Sequence, residues 1–571
     1  MHRILIFTLL LGLITLSSCR PSPSPTTEDL PTPVVGQIED SAMVACSHPL
    51  AASVGRDILF QGGTAIDAAV AVHFTLAVTF PYAGNLGGGG FMVYRGADGN
   101  AETLDFREKA PAKAHRDMYL DDMGEVIPQL SSRGPLAVGV PGSVAGMFQA
   151  HERYGKLAWA DLVQPAIDIA KNGYAATKNQ AEWLNKVKED FEQYNPEGAY
   201  LVQEAAWKEG DLIVQIDLAA TLERIQDEGR NGFYQGETAR LFVEEMERSG
   251  GWITAEDLEN YSATWRAPIR GAYKDYEIIS MGPPSSGGIL LVEMLNMVTD
   301  YPLQDWGFQS LKTTHLMVEA ERRAFADRAE FLGDPDFIAI PQAQLLSKSY
   351  AQGRMADFNP DQAQPSDSIS PGPAREGSGE TTHYSIVDYY GNAVSITTTL
   401  NSAYGSRVWV KDAGFLLNNE MDDFSAKPGV PNQYGLVGNE ANAIAPGKRM
   451  LSSMTPTIIE KDGELFMVVG TPGGSTIITS VFQAFLNVAE FGMGMQEAVN
   501  HKRFHHQWLP DVIRVEEGAL SAEVRTQLQA MGHAFDEREP IGRVDAILIR
   551  EDGLLEGAAD HTRRDDTTAG F

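Results

Sequence analysis

The sequence predicts a large mixed protein of the α+β class, with helical and extended runs interleaved along a globular chain. Its 571 residues with 43% hydrophobic content can bury a large core, and length alone allows about two to four domains. Helical periods recur at Ala65–Val78, which is apolar all round, at the amphipathic Asp161–Asn172, and at Leu311–Leu332, a long helix crowded with Glu, Arg and Asp. Between and after them stand β-rich runs, of which the clearest surround Tyr384, Ile386, Val394 and Ile396, with a short wholly apolar strand at Phe466–Val469.

Taken in order, the chain begins with an address. After Met1-His2-Arg3, the apolar stretch Ile4–Leu16 is short for a bilayer span and the right length for a signal-peptide core. It ends in Leu16-Ser17-Ser18-Cys19, which resembles the lipobox of bacterial lipoproteins; residues 1–19 are read as a lipoprotein signal with Cys19 as the acylated residue. A simple secretory signal cleaved nearby is the competing reading. Residues 20–40, opening with the Pro- and Ser-rich run Arg20–Pro33, form a polar tether. These features place the protein in the bacterial periplasm or on the cell surface, held by a lipid anchor. With Cys19 so used only Cys46 remains, which excludes an internal disulfide and points to a buried structural thiol.

Charge narrows the function classes. Against 45 basic residues stand 77 acidic ones, a net charge of -32, which excludes a nucleic-acid partner because that needs clustered Lys and Arg. The glycine run at Gly84 (GNLGGGG) lacks both the GxGxxG spacing and a P-loop lysine, and reads as close packing. HExxH, CxxC and EF-hand patterns are absent, so no metal or organic cofactor is expected, and the His505-His506 pair is read as packing or capping.

The most informative break comes at Thr381. Upstream, Asn359–Glu380 is rich in Pro, Ser and Gly and reads as exposed and irregular. Downstream, two β-rich runs flank Tyr389-Tyr390-Gly391, which fits a three-residue hairpin loop with glycine in the left-handed position. If Asp388 faces Asn392, the register puts Thr399 opposite Thr381, about 5 Å apart, close enough for one hydroxyl to orient the other. Threonines also populate strands simply because β-branched side chains fit the pleat. A threonine hydroxyl needs an adjacent base to attack a carbonyl, however, and cleavage of the Glu380–Thr381 bond would supply an α-amino group with a pKa of about 7.7 to 8.0.

The run TTHYSIVD followed by GNAV resembles the start of the small subunit of the γ-glutamyltranspeptidases, which are N-terminal nucleophile hydrolases. The same family's blocks follow in order: AGNLGGGGFM at Ala83, DFREKAPAKA at Asp105, GVPGSVAG at Gly139, GPPSSGG at Gly282, LLNNEMDDFSAKPG at Leu416, LSSMTPTI at Leu451 and GTPGGSTIITSV at Gly470. The resemblance covers about residues 40 to 571. It implies a four-layer αββα sandwich formed by two subunits cut from one precursor, a large one of residues 41–380 and a small one of residues 381–571. It further implies Thr381 as nucleophile, Thr399 as its partner, Arg107 for the α-carboxylate of a γ-glutamyl group, and Asp423 for its ammonium with Asn401 and Glu420 alongside. Ser452 and Ser453 complete the α-carboxylate contacts.

Gly473 and Gly474 stand between the apolar strand and a helix beginning near Ser475, where outward backbone N–H groups outline an oxyanion hole; the competing reading is an ordinary glycine turn. Residues 425–450 are long enough to cover the pocket and resemble a lid found in some family members, with Tyr434 as the contact residue. Such a chain would cut itself at Glu380–Thr381. It would then pass the γ-glutamyl group of glutathione through a threonyl ester to water, or to an amino acid or peptide. Within the fold, the alternatives are cephalosporin (glutaryl) acylases and poly-γ-glutamate-processing relatives, and outside catalysis a lipoprotein that binds γ-glutamyl peptides. No GxSxG elbow occurs, which disfavours a serine hydrolase of that type.

Overall fold

The computed structural model describes residues 34–369, 381–538, 540–560 and 565–571. Cys19, Glu380 and the signal segment 1–19 lie outside the described residues.

Two seven-stranded sheets form the centre. The strands, in chain order, are β1 Gln37–Glu39, β2 Met43–Cys46, β3 Gly89–Arg95, β4 Ala101–Phe106, β5 Thr264–Arg266, β6 Ile269–Tyr273, β7 Tyr276–Ser280, β8 Thr382–Val387, β9 Ala393–Thr399, β10 Thr457–Lys461, β11 Glu464–Gly470, β12 Asp545–Ile549, β13 Leu555–Ala559 and β14 Thr567–Gly570. One sheet runs β1-β13-β12-β11-β10-β7-β6 and the other β14-β2-β8-β9-β3-β4-β5. Strands from both sides of residue 380 therefore interleave in each sheet. The first strand, β1, falls inside the stretch 20–40 read as tether, pairing Ile38 with Glu556.

Strand periodicity explains the layering. Along β2, Met43 and Ala45 belong to a core shared with Ile279, Ile458, Val468 and Ile547 of the other sheet, whereas Val44 and Cys46 point the opposite way into a helical layer. That layer holds α1 Pro49–Phe60, α2 Ala65–Thr79 and α3 Trp159–Asn172. The second sheet likewise turns Ile278, Ile459, Met467 and Ala546 toward α4 Gly287–Val298, α5 Leu311–Phe331 and α6 Ile477–Ala489. The result is helix, sheet, sheet, helix, the αββα sandwich that the family resemblance implied. Cys46 is buried, as expected of a structural thiol. Among the described residues no helix is long and apolar enough to cross a membrane.

One expectation needs correction. The stretch Asn359–Glu380 is not irregular and exposed throughout: Ser366–Ile369 forms a 3-10 turn, and the buried Ser366 accepts from Arg322 Nη1 at 2.6 Å and donates to Trp508 O at 2.6 Å. Its neighbours from Asn359 to Ser368 are exposed or half-buried, so the anchoring is local to Ser366. The charge-rich α5 forms where a long helix is expected, and it is buried. Glu319, Glu321, Arg322, Arg323, Asp327 and Arg328 are all buried on it, because neighbouring segments supply partners that the sequence alone does not reveal.

Candidate active site

The hairpin that delivers Thr381 is built as its residues predict. Asp388 N–H donates to Asn392 O at 3.0 Å and Gly391 has a φ of +87°, so a loop needing left-handed backbone sits at the glycine. Pairing continues through Val387↔Ala393 and Tyr384↔Ile396 to Thr382↔Thr398. One step further sets Thr381 opposite Thr399, with both on the face toward the second sheet. The backbone at this end is tightly held: Thr381 O accepts from Arg543 Nη2 at 3.2 Å, and Thr382 Oγ1 shares a 2.8 Å hydrogen bond with Ser47 Oγ. Thr399 Oγ1 accepts from Asn401 N at 2.7 Å. The glycine run packs beneath, as expected: a Cβ on Gly88 would lie 2.1 Å from Thr399 O.

A pocket of about 280 Å³ opens here, lined among others by Thr381, Thr399, Arg107, Asn401, Glu420, Asp423, Tyr434, Ser452, Ser453 and Gly474. Only Gly473 of the expected interior set does not line it. Residues distant in sequence converge because β4 carries Arg107 just past its end, while Glu420–Asp423 and the Ser452–Ser453 segment approach from loops of the small subunit region.

The head-group end is densely charged. Arg107 Nη1 lies 2.6 Å from Glu420 Oε2 and Nη2 lies 2.6 Å from Asp423 Oδ2, while Nε donates to Met450 O at 3.3 Å. The arginine thus meets the expected ammonium-binding Asp423 directly. Burial pushes the Glu420 carboxyl well above the usual range against the opposing pull of Arg107, and burial likewise raises Asp423. Glu108, buried 3.6 Å from Arg107, is raised by the same cause. Ser452 Oγ accepts from Met454 N at 3.1 Å, and its carbonyl is held by Ser286 through N–H at 2.8 Å and Oγ–H at 2.7 Å.

At the opposite end the glycines follow β11 with backbone that side chains resist. Gly473 has φ +140° and Gly474 φ +57°, and a Cβ on Gly473 would meet Thr476 Oγ1 at 2.6 Å. A 3-10 turn, Gly474–Thr476, intervenes before α6 starts at Ile477, so the helix begins two residues later than the sequence indicates. Among the described residues neither Gly473 nor Gly474 N–H has a hydrogen-bond acceptor, leaving donors at a helix N-terminus beside Thr381.

Comparison with known proteins decides the family. The gamma-glutamyltranspeptidase family profile matches residues 51–570. The chain belongs to the gamma-glutamyltranspeptidase family. It is 45% identical over 578 aligned positions to the glutathione hydrolase proenzyme of Escherichia coli (strain K12), covering 100% of this chain and 99% of that one. To the acylase ACY 1 proenzyme of Pseudomonas sp. (strain V22) it is 36% identical, covering 94% and 95%. Among solved structures it matches cephalosporin acylase from Bacillus halodurans with a TM-score of 0.84 and 26% identity over 96% of this chain and 99% of that chain. Gamma-glutamyltranspeptidase from Helicobacter pylori matches at 0.56 and 47%, over 57% of this chain and 94% of that chain.

Within this family member the segment 425–450 is a hydrogen-bonded loop that gives Tyr434 and Leu436 to the pocket lining. Gly429 N donates to Gly438 O at 3.0 Å, Gln433 N to Asp422 Oδ2 at 3.0 Å, and Gln507 Nε2 to Tyr434 O at 3.1 Å. Tyr434 is buried, and its hydroxyl donates to Asn401 O at 2.7 Å and also meets Asn401 Oδ1. Leu436, Met454 and Ile477 line the pocket as well and escaped the sequence reading. As apolar residues beside recognised motifs they carry no chemical signal of their own. His505 and His506 are buried and hydrogen-bonded, to Thr479 and Asp511 respectively, as packing residues. A different group, His315, Glu319 and His533, has metal-like spacing. There the two imidazoles bond each other at 2.8 Å and Glu319 pairs with Arg322 and Arg323, whose charges oppose a cation.

Proposed function

We propose that this chain is a self-processing glutathione hydrolase and γ-glutamyl transferase whose nucleophile is the Thr381 hydroxyl. The observation that supports the reading most directly is the shared pocket whose lining includes Thr381 and Thr399 together with Arg107, Asp423, Ser452 and Ser453. Thr381 Oγ attacks the Glu380 carbonyl, an N-to-O acyl shift gives an ester, and water splits it into one chain running from Cys19 or thereabouts to Glu380 and a second of residues 381–571. The freed α-amino group then serves as base, with Thr399 orienting the hydroxyl. In turnover Thr381 Oγ attacks the γ-carbonyl, the oxyanion is received by the N–H groups of Gly473 and Gly474, and the leaving amine takes the proton. Water then releases glutamate, or an amine accepts the acyl group.

Arg107 and Asp423 are exchangeable partners: on binding, the substrate α-carboxylate takes the guanidinium while Asp423 takes the ammonium, keeping the charges paired. This exchange favours a donor with both groups over a glutaryl donor, which lacks the ammonium. Intact-mass spectrometry of the purified protein, followed by assay with γ-glutamyl-p-nitroanilide, tests the reading. Two chains meeting at Glu380–Thr381 and γ-glutamyl turnover support it; one full-length inactive chain overturns it. We further propose that residues 1–19 export the protein and that Cys19 tethers it to a membrane.

The loop 425–450 is proposed to screen the acyl-enzyme from water. Tyr434→Ala is expected to shift the ratio of hydrolysis to transfer by about threefold or more, read from glutamate and γ-glutamyl-dipeptide yields at fixed acceptor. An unchanged ratio would remove the loop from the partitioning step.

A further inference from the structure

Helix α5 buries six charged residues, and four of them, Glu319, Arg322, Arg323 and Asp327, sit in ion pairs. Arg322 pairs with Glu319 and Asp511, Arg323 with Glu319 and Asp357, and Asp327 with Arg354 at 2.9 Å. Glu321 accepts from His506 N at 2.8 Å. Arg328 differs: it is 5% exposed, and among the described residues it makes no ion pair. Its Nε donates to Ser286 Oγ at 3.0 Å and its Nη2 to Ser453 Oγ at 3.3 Å. Burying a guanidinium without a counter-charge is costly, and two hydroxyl acceptors offset only part of it. Burial lowers its pKa to about 10, with Asp423 the acidic group that opposes the shift, so it remains charged at neutral pH.

We infer that Arg328 is a positioning residue for the donor's α-carboxylate, which adds negative charge near a buried guanidinium that forms no ion pair of its own. The geometry makes the route specific. Nη2 uses a lone pair of Ser453 Oγ, so the Ser453 hydroxyl hydrogen turns elsewhere, toward an acceptor in the pocket that Ser453 lines. Nε engages the hydroxyl that in turn donates to Ser452 O, so the same guanidinium braces both serines. Arg107, by contrast, already contacts two carboxylates in the free protein. Arg328 therefore contributes the positive charge that binding has not yet used, and it acts through Ser453 without lining the pocket. The inference rests on the γ-glutamyl reading of the site, and names a further determinant of its preference for an α-carboxylate.

The test compares wild type with Arg328→Gln and Arg328→Lys on three anilides, as substrates or as competitive inhibitors. These are γ-glutamyl, glutaryl, which keeps the carboxylate only, and 4-aminobutanoyl, which keeps the ammonium only. In Arg328→Gln, KM or Ki should rise about 10- to 100-fold for the first two and stay within about twofold for the third, with kcat for γ-glutamyl-p-nitroanilide within about threefold. Arg328→Lys should recover part of that loss because it keeps the charge. Equal weakening of all three ligands, or a lysine variant as weak as the glutamine one, would overturn the role. Should Arg328→Gln stay uncut by mass, Ser286→Ala frees one anchor while retaining the charge; carboxylate-selective weakening then supports the inference and uniform weakening refutes it. A wild-type protein without γ-glutamyl turnover would instead fail the functional reading itself.

Discussion

Thr381→Ala is expected to leave a single uncut chain and to lower γ-glutamyl turnover by about 10,000-fold or more, because the same oxygen opens the precursor and carries the acyl group. Both effects come from removing one hydroxyl. The fold should survive: β8 starts at Thr382, and the Thr381 contact to Arg543 uses the backbone carbonyl. Intact mass and circular dichroism on the same sample separate loss of chemistry from loss of structure. Thr381→Ser, which restores a hydroxyl, should be cut at the same bond. Cleavage or appreciable activity in Thr381→Ala would mean that another group is the nucleophile.

Gly474→Ala should lower kcat by about 100-fold while leaving KM within about fivefold, since displacing a preorganised donor by about 1 Å removes stabilisation present only in the transition state. Its φ of +57° is left-handed, so alanine is accommodated only by distorting the turn that aims the N–H. Gly474 is the better probe of the pair, because at Gly473 a Cβ would collide with Thr476 Oγ1 and disturb the start of α6. Steady-state kinetics on protein shown by mass to be fully cut make the comparison. A kcat within about threefold of wild type would return these glycines to an ordinary turn.

The two outcomes separate roles that the free structure superimposes. Losing Thr381 abolishes both reactions, whereas losing an oxyanion donor slows turnover at a pocket whose head-group contacts remain. Charge contacts behave differently again. Arg107, Glu420 and Asp423 are a buried cluster in which removal of any one member strands the others, so truncations there mix binding with stability.

Much of this site was legible in the sequence because its chemistry demands particular side chains at fixed local spacings. The hairpin from Thr381 to Thr399 is a local object: a period of two, a glycine where φ must be positive, and a register that follows by counting. Glycine pairs and the EMDD and LSS runs are similarly recognisable, and all but one of the expected interior residues line one pocket. What was misread depended on partners far away in the chain. Ser366 looks like linker until Trp508 and Arg322 reach it, and the sequence does not show which partners, Asp511, Asp357 and Arg354 among them, answer the charges of α5.

The sequence by itself determined the Thr381–Thr399 hairpin and the glycine turn, which local backbone geometry sets, while the polar residues expected around a γ-glutamyl group were legible through the motifs that carry the family resemblance. Only the tertiary structure decided that Arg107 rests against Glu420 and Asp423, that Tyr434 lines the pocket and bonds Asn401, and that Arg328 meets Ser453. Those arrangements join residues from 33 to more than 300 positions apart in the chain. They are selected by burial, which makes an unpaired charge costly and leaves no local trace in the residues that pair.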